Sequence, residues 1–488
     1  MTKQDCREKD HNSALFGLPE YGELRFSAEG DSDIIFSVFA KDADSVFIVG
    51  SFNDWSESHP MKPTDSEHWQ VLISGDEIRD GDTYKFKVYR NGEALYFADP
   101  CALENEGAPY YNSVYRDVPF DRIHTHENDR IVQVSNTPMN VYCVQADLWN
   151  GGDRSYSEIA RELIPYMMQM GFTHLCLSGV FEEYYEFAAG RTLKASFAPR
   201  RAQGGIDGLR ELVGMCHASG IGVIIDRGVT EFPENSADGR NFLLKNARYW
   251  IECYGFDGLA ASAVSDSAAK ELSEIFGLVR KEHRHACFVD RKLCGFAISG
   301  ADAVLSNLWD ELGVISCVRD VSLEHRARMV SMSYVLLSRG KGYTDAGFEL
   351  GLPFDKVEIG SFEYSSSLGK KNAELQLFIA DLNAFYLANS CLWDEKNVRN
   401  VKKEGNAIMV ECCGEDGSVF FAADTSGDGC SVAIPSYTEK YIVLDSYSER
   451  HGGDKCSCPY KPVGERIELG PYGVILLVGN KTQGKIED

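Results

Sequence analysis

The rhythm of apolar and polar positions changes twice along this chain. Between residues 21 and 120, apolar and polar residues alternate in short runs. The stretches 34–39, 45–50 and 83–89 read as strands of period two. Arg90-Asn91-Gly92-Glu93 follows the last of them. Asn-Gly favours the tight hairpin turn whose two central residues take positive φ. Together these signals predict a small antiparallel β-sandwich. From about residue 139 the rhythm becomes strand then helix. Strands are predicted at 141–144, 173–177, 221–226, 256–260, 286–289 and 314–318. Between them, Ile159, Leu163, Ile164, Met167 and Met170 share one face of a helix over 157–170. Leu209, Leu212, Val213 and Cys216 do the same over 208–219, and a further helix is predicted over 240–254. Apolar strands separated by helices imply a parallel sheet covered by those helices. About eight such units over roughly 240 residues fit a (β/α)8 TIM barrel. After a long helix over 373–388, short β runs return, as in 418–422 and 473–478. The expected division is a polar lead-in at 1–20, a β-sandwich at 21–120, the barrel at 121–397 and a C-terminal all-β sandwich at 398–488.

Composition narrows the partners. The 488 residues carry a formal net charge of −25. That balance disfavours nucleic acid and anionic membranes and leaves a neutral polymer open. The first ten residues are polar, without the apolar core of a signal peptide, and no run of about 18 apolar residues stands out. Fifteen cysteines, an odd number, lie mostly in apolar segments, among them Cys176, Cys216 and Cys287. Reduced core thiols in a cytoplasmic protein are the expectation. The pairs Cys412-Cys413 and Cys456-Ser457-Cys458 lack a partner pair at zinc spacing, so neither metal nor other cofactor is predicted.

Several ordered motifs then carry a resemblance. Val49-Gly50-Ser51-Phe52-Asn53-Asp54-Trp55 is followed by Trp69, by Asp80-Gly81-Asp82-Thr83-Tyr84-Lys85-Phe86 and by Ala98-Asp99-Pro100. Further on stand Met139-Asn140-Val141-Tyr142, Met170-Gly171-Phe172-Thr173-His174, Phe197-Ala198-Pro199, Gly220-Ile221-Gly222-Val223-Ile224-Ile225-Asp226, Asp257-Gly258-Leu259 and Gly470-Pro471-Tyr472-Gly473. Over roughly residues 15–480 the chain resembles α-glucan (glycogen or starch) branching enzymes of the α-amylase superfamily. The resemblance implies that the first sandwich is a carbohydrate-binding module. Trp55 and Trp69 become candidates for stacking on sugar, and Lys85 and Asn112 for binding its hydroxyls. A second platform aromatic, found after the hairpin turn in free-standing relatives, is Ala94 here, with Tyr96 nearby.

The catalytic positions depart from the family. Retaining glycosidases need a carboxylate nucleophile and a carboxylic acid on either side of the scissile bond. The resemblance puts the nucleophile on Ser262, with Ala260 at the preceding arginine. It puts the acid on Arg291, next to Asp290, which could substitute. Asp226 and Asp320 survive as carboxylates, while a stacking Trp-Gly-Tyr reads Ala189-Gly190-Arg191. A serine without a base is a poor nucleophile, and a guanidinium stays charged and donates no proton at neutral pH. The expectation is a catalytically inactive, branching-enzyme-like protein that binds α-glucan, a protein partner or a second copy of itself as a homo-oligomer. Two alternatives stand beside it: an active α-glucan enzyme with a relocated site, and a structural protein without sugar affinity. In the vacated site, Arg291 or Arg227 is expected to pair with Asp226 or Asp320.

Overall fold

The computed structural model describes residues 33–65, 67–117, 137–152, 154–186, 191–230, 237–263, 265–284, 286–290, 321–339, 341–351, 372–394, 396–414, 417–454, 461–462 and 464–481. Arg291, Asp320, the strand expected at 314–318, Ala189 and Gly190 lie outside the described residues, as does the lead-in.

The N-terminal module is a two-sheet sandwich. Strands β1 (Asp33–Phe39) and β3 (His68–Ser74) pair antiparallel in one sheet; β2 (Ser45–Gly50), β4 (Thr83–Arg90) and β5 (Glu93–Phe97) pair in the other. Alternation decides the faces. On β4, Tyr84, Phe86 and Val88 turn inward while Lys85, Lys87 and Tyr89 turn outward. The inward set packs with Phe36, Val38, Val46 and Ile48 into the module's own core. The predicted turn is present, with Asn91 at φ 50° and Gly92 at φ 79°.

The middle of the chain forms a curled parallel sheet, the (β/α)8 barrel. Strands β6 (Met139–Gln145), β7 (His174–Ser178), β10 (Gly222–Thr230), β11 (Gly258–Ala263) and β12 (Cys287–Asp290) pair in sequence order. Strand β13 (Lys341–Asp345), the last of the described barrel strands, pairs parallel with the first, β6, which curls the sheet back on itself. An antiparallel hairpin of β8 (Phe181–Glu186) and β9 (Arg191–Pro199) follows β7.

Helices α1 (Tyr156–Met170), α2 (Gly205–Ala218), α3 (Ala237–Tyr254), α4 (Asp266–Glu282) and α5 (Val321–Arg339) accompany these strands. Helix α1 starts at a capping box: Ser155 accepts from the Glu158 amide while the Glu158 side chain accepts from Ser155. It ends at Gly171, whose φ of 73° suits a residue without Cβ. The apolar face read from sequence is the buried one, and each fully buried leucine such as Leu163 contributes about 1.5–3 kcal/mol.

Helix α6 (Ala373–Ala388) leads into the C-terminal sheet, which begins at β14 (Val398–Glu404) and continues through β15 (Ala407–Gly414), β16 (Gly417–Asp424), β17 (Tyr437–Asp445) and β18 (Val474–Lys481). On β18, Val474 and Leu476 join the main core shared with the barrel, while Ile475 and Leu477 join a second cluster on the other face. Burial on both faces explains why that strand is continuously apolar. The N-terminal module is also docked on the barrel: Leu103 belongs to the main core, and Tyr111 packs with Ala98 and Ala198 of β9.

Candidate functional site

Two regions hold the residues singled out from sequence, and they differ in what their side chains are engaged with. The first is an open groove of about 630 Å³ on the N-terminal module. Trp55, Lys85, Ala94, Tyr96, Tyr110 and Asn112 line it.

The turn after β2 aims Trp55. The Asn53 carboxamide accepts from the Gly50 amide at 2.9 Å and donates to the Ile48 and Ser56 carbonyls, each at 3.1 Å. This knot forces Asp54 and Trp55 into the left-handed region, at φ 53° and 58°. A non-glycine pair there is strained, and such strain collects where a side chain must be presented. A Cβ on Gly50 would come within 2.3 Å of the Thr83 carbonyl, so the turn admits only glycine there. The Trp55 indole remains 40% exposed, and none of its ring faces meets another ring or a cation among the described residues.

The other polar groups of the groove sit on rigid elements. Lys85 faces outward from β4, and its Nζ donates to the Tyr110 carbonyl at 2.7 Å. Asn112 is buried, its backbone carbonyl accepts from Glu106, and its side-chain amide makes no protein hydrogen bond among the described residues. Beside the groove, Lys87 donates to Glu57 at 2.6 Å and lies 5.4 Å from the centre of the Tyr96 ring. Its carboxylate partner holds the Lys87 ammonium well above the ordinary lysine range. An exposed indole beside amide and ammonium donors can stack a sugar ring and bind its hydroxyls.

Trp69 does not join this constellation. It stands on β3 in the other sheet, packs against the module core, and its Nε1 donates to the Ala40 carbonyl at 3.2 Å. Tyr110 was missed by the sequence reading. It sits in a non-periodic loop, and the available signal was the Pro109-Tyr110-Tyr111-Asn112 run immediately before a candidate residue.

The second region is the C-terminal mouth of the barrel. Asp226 is buried on β10, in ladder register with Ala260 of β11. Its Oδ1 accepts from the Gly228 amide at 2.7 Å, an Asx turn closed on its own loop. Ala260 is 0% exposed and belongs to the barrel-interior cluster with Met139, Val141, Cys176, Ile224 and Val289. Packed apolar atoms therefore surround the position at which the resemblance would put an arginine. On the same ladders, Ser262 stands opposite Val229 and Asp290 opposite Ala261.

The expected pairing of Arg227 with Asp226 is not formed. Successive residues of a strand face opposite sides, so Arg227 turns away from the barrel axis. Its guanidinium lies 6.0 Å from the Phe181 ring centre, and Nε and Nη1 have no hydrogen-bond partner among the described residues. Burial pulls its pKa down to about 10. The described ion pairs at this end belong instead to Arg200. Nη2 reaches Asp147 at 3.0 Å and Glu183 at 3.3 Å, and Nε donates to the Gly179 carbonyl at 3.0 Å. These bonds staple the segments that follow β6 and β7.

At the opposite end of the strands, Asp257 Oδ2 accepts from the Val223 amide at 2.7 Å and pairs with His217 at 2.9 Å. His174, buried beside it, has its pKa pulled down to about 4 by desolvation. This cluster is structural: it anchors the first residues of neighbouring strands.

Comparison with known proteins agrees with this architecture. Residues 23–102 match the family described as carbohydrate-binding module 48 (isoamylase N-terminal domain). The 1,4-alpha-glucan branching enzyme GlgB of Rhodospirillum rubrum is 32% identical over 277 residues, covering 47% of this chain and 37% of that protein. Its namesake from Corynebacterium efficiens is 31% identical over 281 residues, covering 50% and 38%. Over about half its length the chain is similar to branching enzymes, and its N-terminal region matches carbohydrate-binding module 48. The match spans less than two fifths of those relatives' length. Among solved structures, a pullulanase from Anoxybacillus sp. LM18-11, complexed with maltotetraose, superposes with a TM-score of 0.66 at 14% identity, over 96% of this chain and 89% of that one. At that identity the likeness speaks for the fold. Among the described residues, no helix is long and apolar enough to cross a membrane.

Proposed function

We propose that this protein binds α-glucan through the N-terminal groove while its barrel performs no glucan transfer or hydrolysis, and that it serves as a glucan-bound scaffold or regulator in the cytoplasm. The observation that carries this reading is the contrast at two sites with one ancestry. The module presents Trp55 to solvent and lines its groove with a buried Asn112 whose amide makes no protein hydrogen bond among the described residues, whereas Ala260 lies packed among apolar side chains where the resemblance would put an arginine. A retaining mechanism needs two carboxyl groups about 5–5.5 Å apart. The strand position of the nucleophile holds Ser262, and Asp226 is engaged by its own loop. The buried thiols of Cys216 and Cys287, both pushed up to about 12 by desolvation, suit a reducing compartment. Relatives named branching enzymes and a pullulanase complexed with maltotetraose support α-glucan as the polymer.

The test is paired. The purified full chain should be retarded in a native gel containing glycogen, and should leave the iodine spectrum and reducing-end content of amylose unchanged over a long incubation. Retardation with turnover would replace the inactive reading by the relocated-site alternative. Neither retardation nor turnover would leave only a structural role.

A further inference from the structure

We propose that Tyr110 is the second stacking platform of the module's groove, replacing the aromatic that is absent at Ala94. This rests on the reading of the groove as an α-glucan site. Three exposed aromatics line that groove: Trp55, Tyr96 and Tyr110. They are not equivalent. Tyr96 is 44% exposed, but its ring already carries the Lys87 ammonium at 5.4 Å, and Lys87 is its cross-strand partner on β4. Tyr110 is 68% exposed, and its ring meets no other ring or cation among the described residues.

The loop beneath Tyr110 is tied on both sides. The Gly107 amide donates to Asn105 Oδ1 at 2.9 Å, and the Tyr111 amide donates to the Gly107 carbonyl at 2.8 Å. Lys85 clamps the Tyr110 carbonyl itself. The next residue, Tyr111, is held at φ 51° and packs inward against Ala98 and Ala198. Leaving one tyrosine projected from a fixed backbone is costly in apolar exposure unless a flat apolar ligand covers it. A fixed backbone also lowers the ordering cost of binding. An α-glucan chain supplies sugar faces on successive residues, so it can lie on Trp55 and Tyr110 together, with Asn112 and Lys85 lining the same groove. The site thereby reads a run of glucose units rather than a single terminal sugar.

The experiment uses the full chain and two probes, glycogen in affinity gels and β-cyclodextrin in solution titration. Tyr110→Ala should weaken binding about tenfold, a stacking-sized loss. Tyr110→Phe should stay within about twofold of the parent, because the ring face is kept. Tyr96→Ala should likewise change binding by less than about threefold, since that ring is held by Lys87. Parent protein that binds both probes, with Tyr110→Ala unchanged, would overturn the platform and leave the glucan reading standing. Parent protein that binds neither probe would overturn both.

Discussion

The groove on the N-terminal module and the mouth of the barrel differ in what their polar and aromatic side chains are engaged with. In the groove, strain and hydrogen bonding in the backbone hold side chains out: the Asn53 knot turns Trp55 to solvent, and the clamp on residues 105–112 turns Tyr110 out. At the barrel mouth the polar groups face their own chain. Asp226 closes an Asx turn, Arg200 staples two loops, and Ala260 completes an apolar layer. On the reading proposed above, the difference teaches that polar and aromatic groups left unengaged mark a surface kept for binding, and internally satisfied groups one that has lost its ligand. Both states are compatible with the same fold, because the helices and strands are fixed by cores remote from either surface.

The comparison can be broken most forcefully at Ala260. Ala260→Arg would force a long charged side chain into a packed apolar layer, where overpacking and desolvation of the guanidinium, beside an Asp226 already bound by the Gly228 amide, cost several kcal/mol. A loss of about 4 kcal/mol is expected, seen as a large fall in the midpoint of urea unfolding. A variant as stable as the parent would mean that the mouth is open. The base of the barrel gives the next largest effect. His174 titrates near 4 when folded and near 6.5 when unfolded, so below pH 6.5 the unfolded chain binds more protons. Stability should be complete above about pH 6.5 and decline toward pH 4 by at most about 3 kcal/mol. His174→Gln should flatten that limb, and an unchanged pH profile would remove His174 from the account.

In the groove, Trp55→Ala should cost about 30-fold in glycogen affinity, roughly 2 kcal/mol, with little change in melting temperature because the ring is not in the core. Trp69→Ala should show the reverse pattern. A melting temperature that falls with Trp55→Ala would assign its ring to the fold. The smallest effect expected is none at all: Ser262→Asp should restore no activity on amylose, since the partner acid, the arginine at Ala260 and the stacking aromatic remain absent. Measurable branching by that variant would show that the mouth still admits sugar.

Much of the scaffold was readable from periodicity. The helix over 373–388 and the buried face of α1 follow from apolar spacing alone, because helices bury a stripe at fixed intervals. Trp55, Lys85 and Asn112, each named from the resemblance, line one groove. Trp69 could not be separated from Trp55, since an aromatic in a sandwich strand faces core or solvent according to which sheet it joins. Tyr110 escaped because loop residues carry no period. Of the two arginines expected near Asp226, Arg227 sits next to it on a strand, and that adjacency alone puts the two side chains on opposite faces; Arg291 lies outside the described residues.

The account is tested most directly by a crystal structure of the full chain grown with maltoheptaose. It predicts sugar rings stacked on Trp55, with the Asn112 amide and Lys85 within hydrogen-bonding distance of hydroxyls, and no sugar over Asp226. A glucose ring seated in the barrel mouth against Asp226, with Trp55 bare, would contradict it.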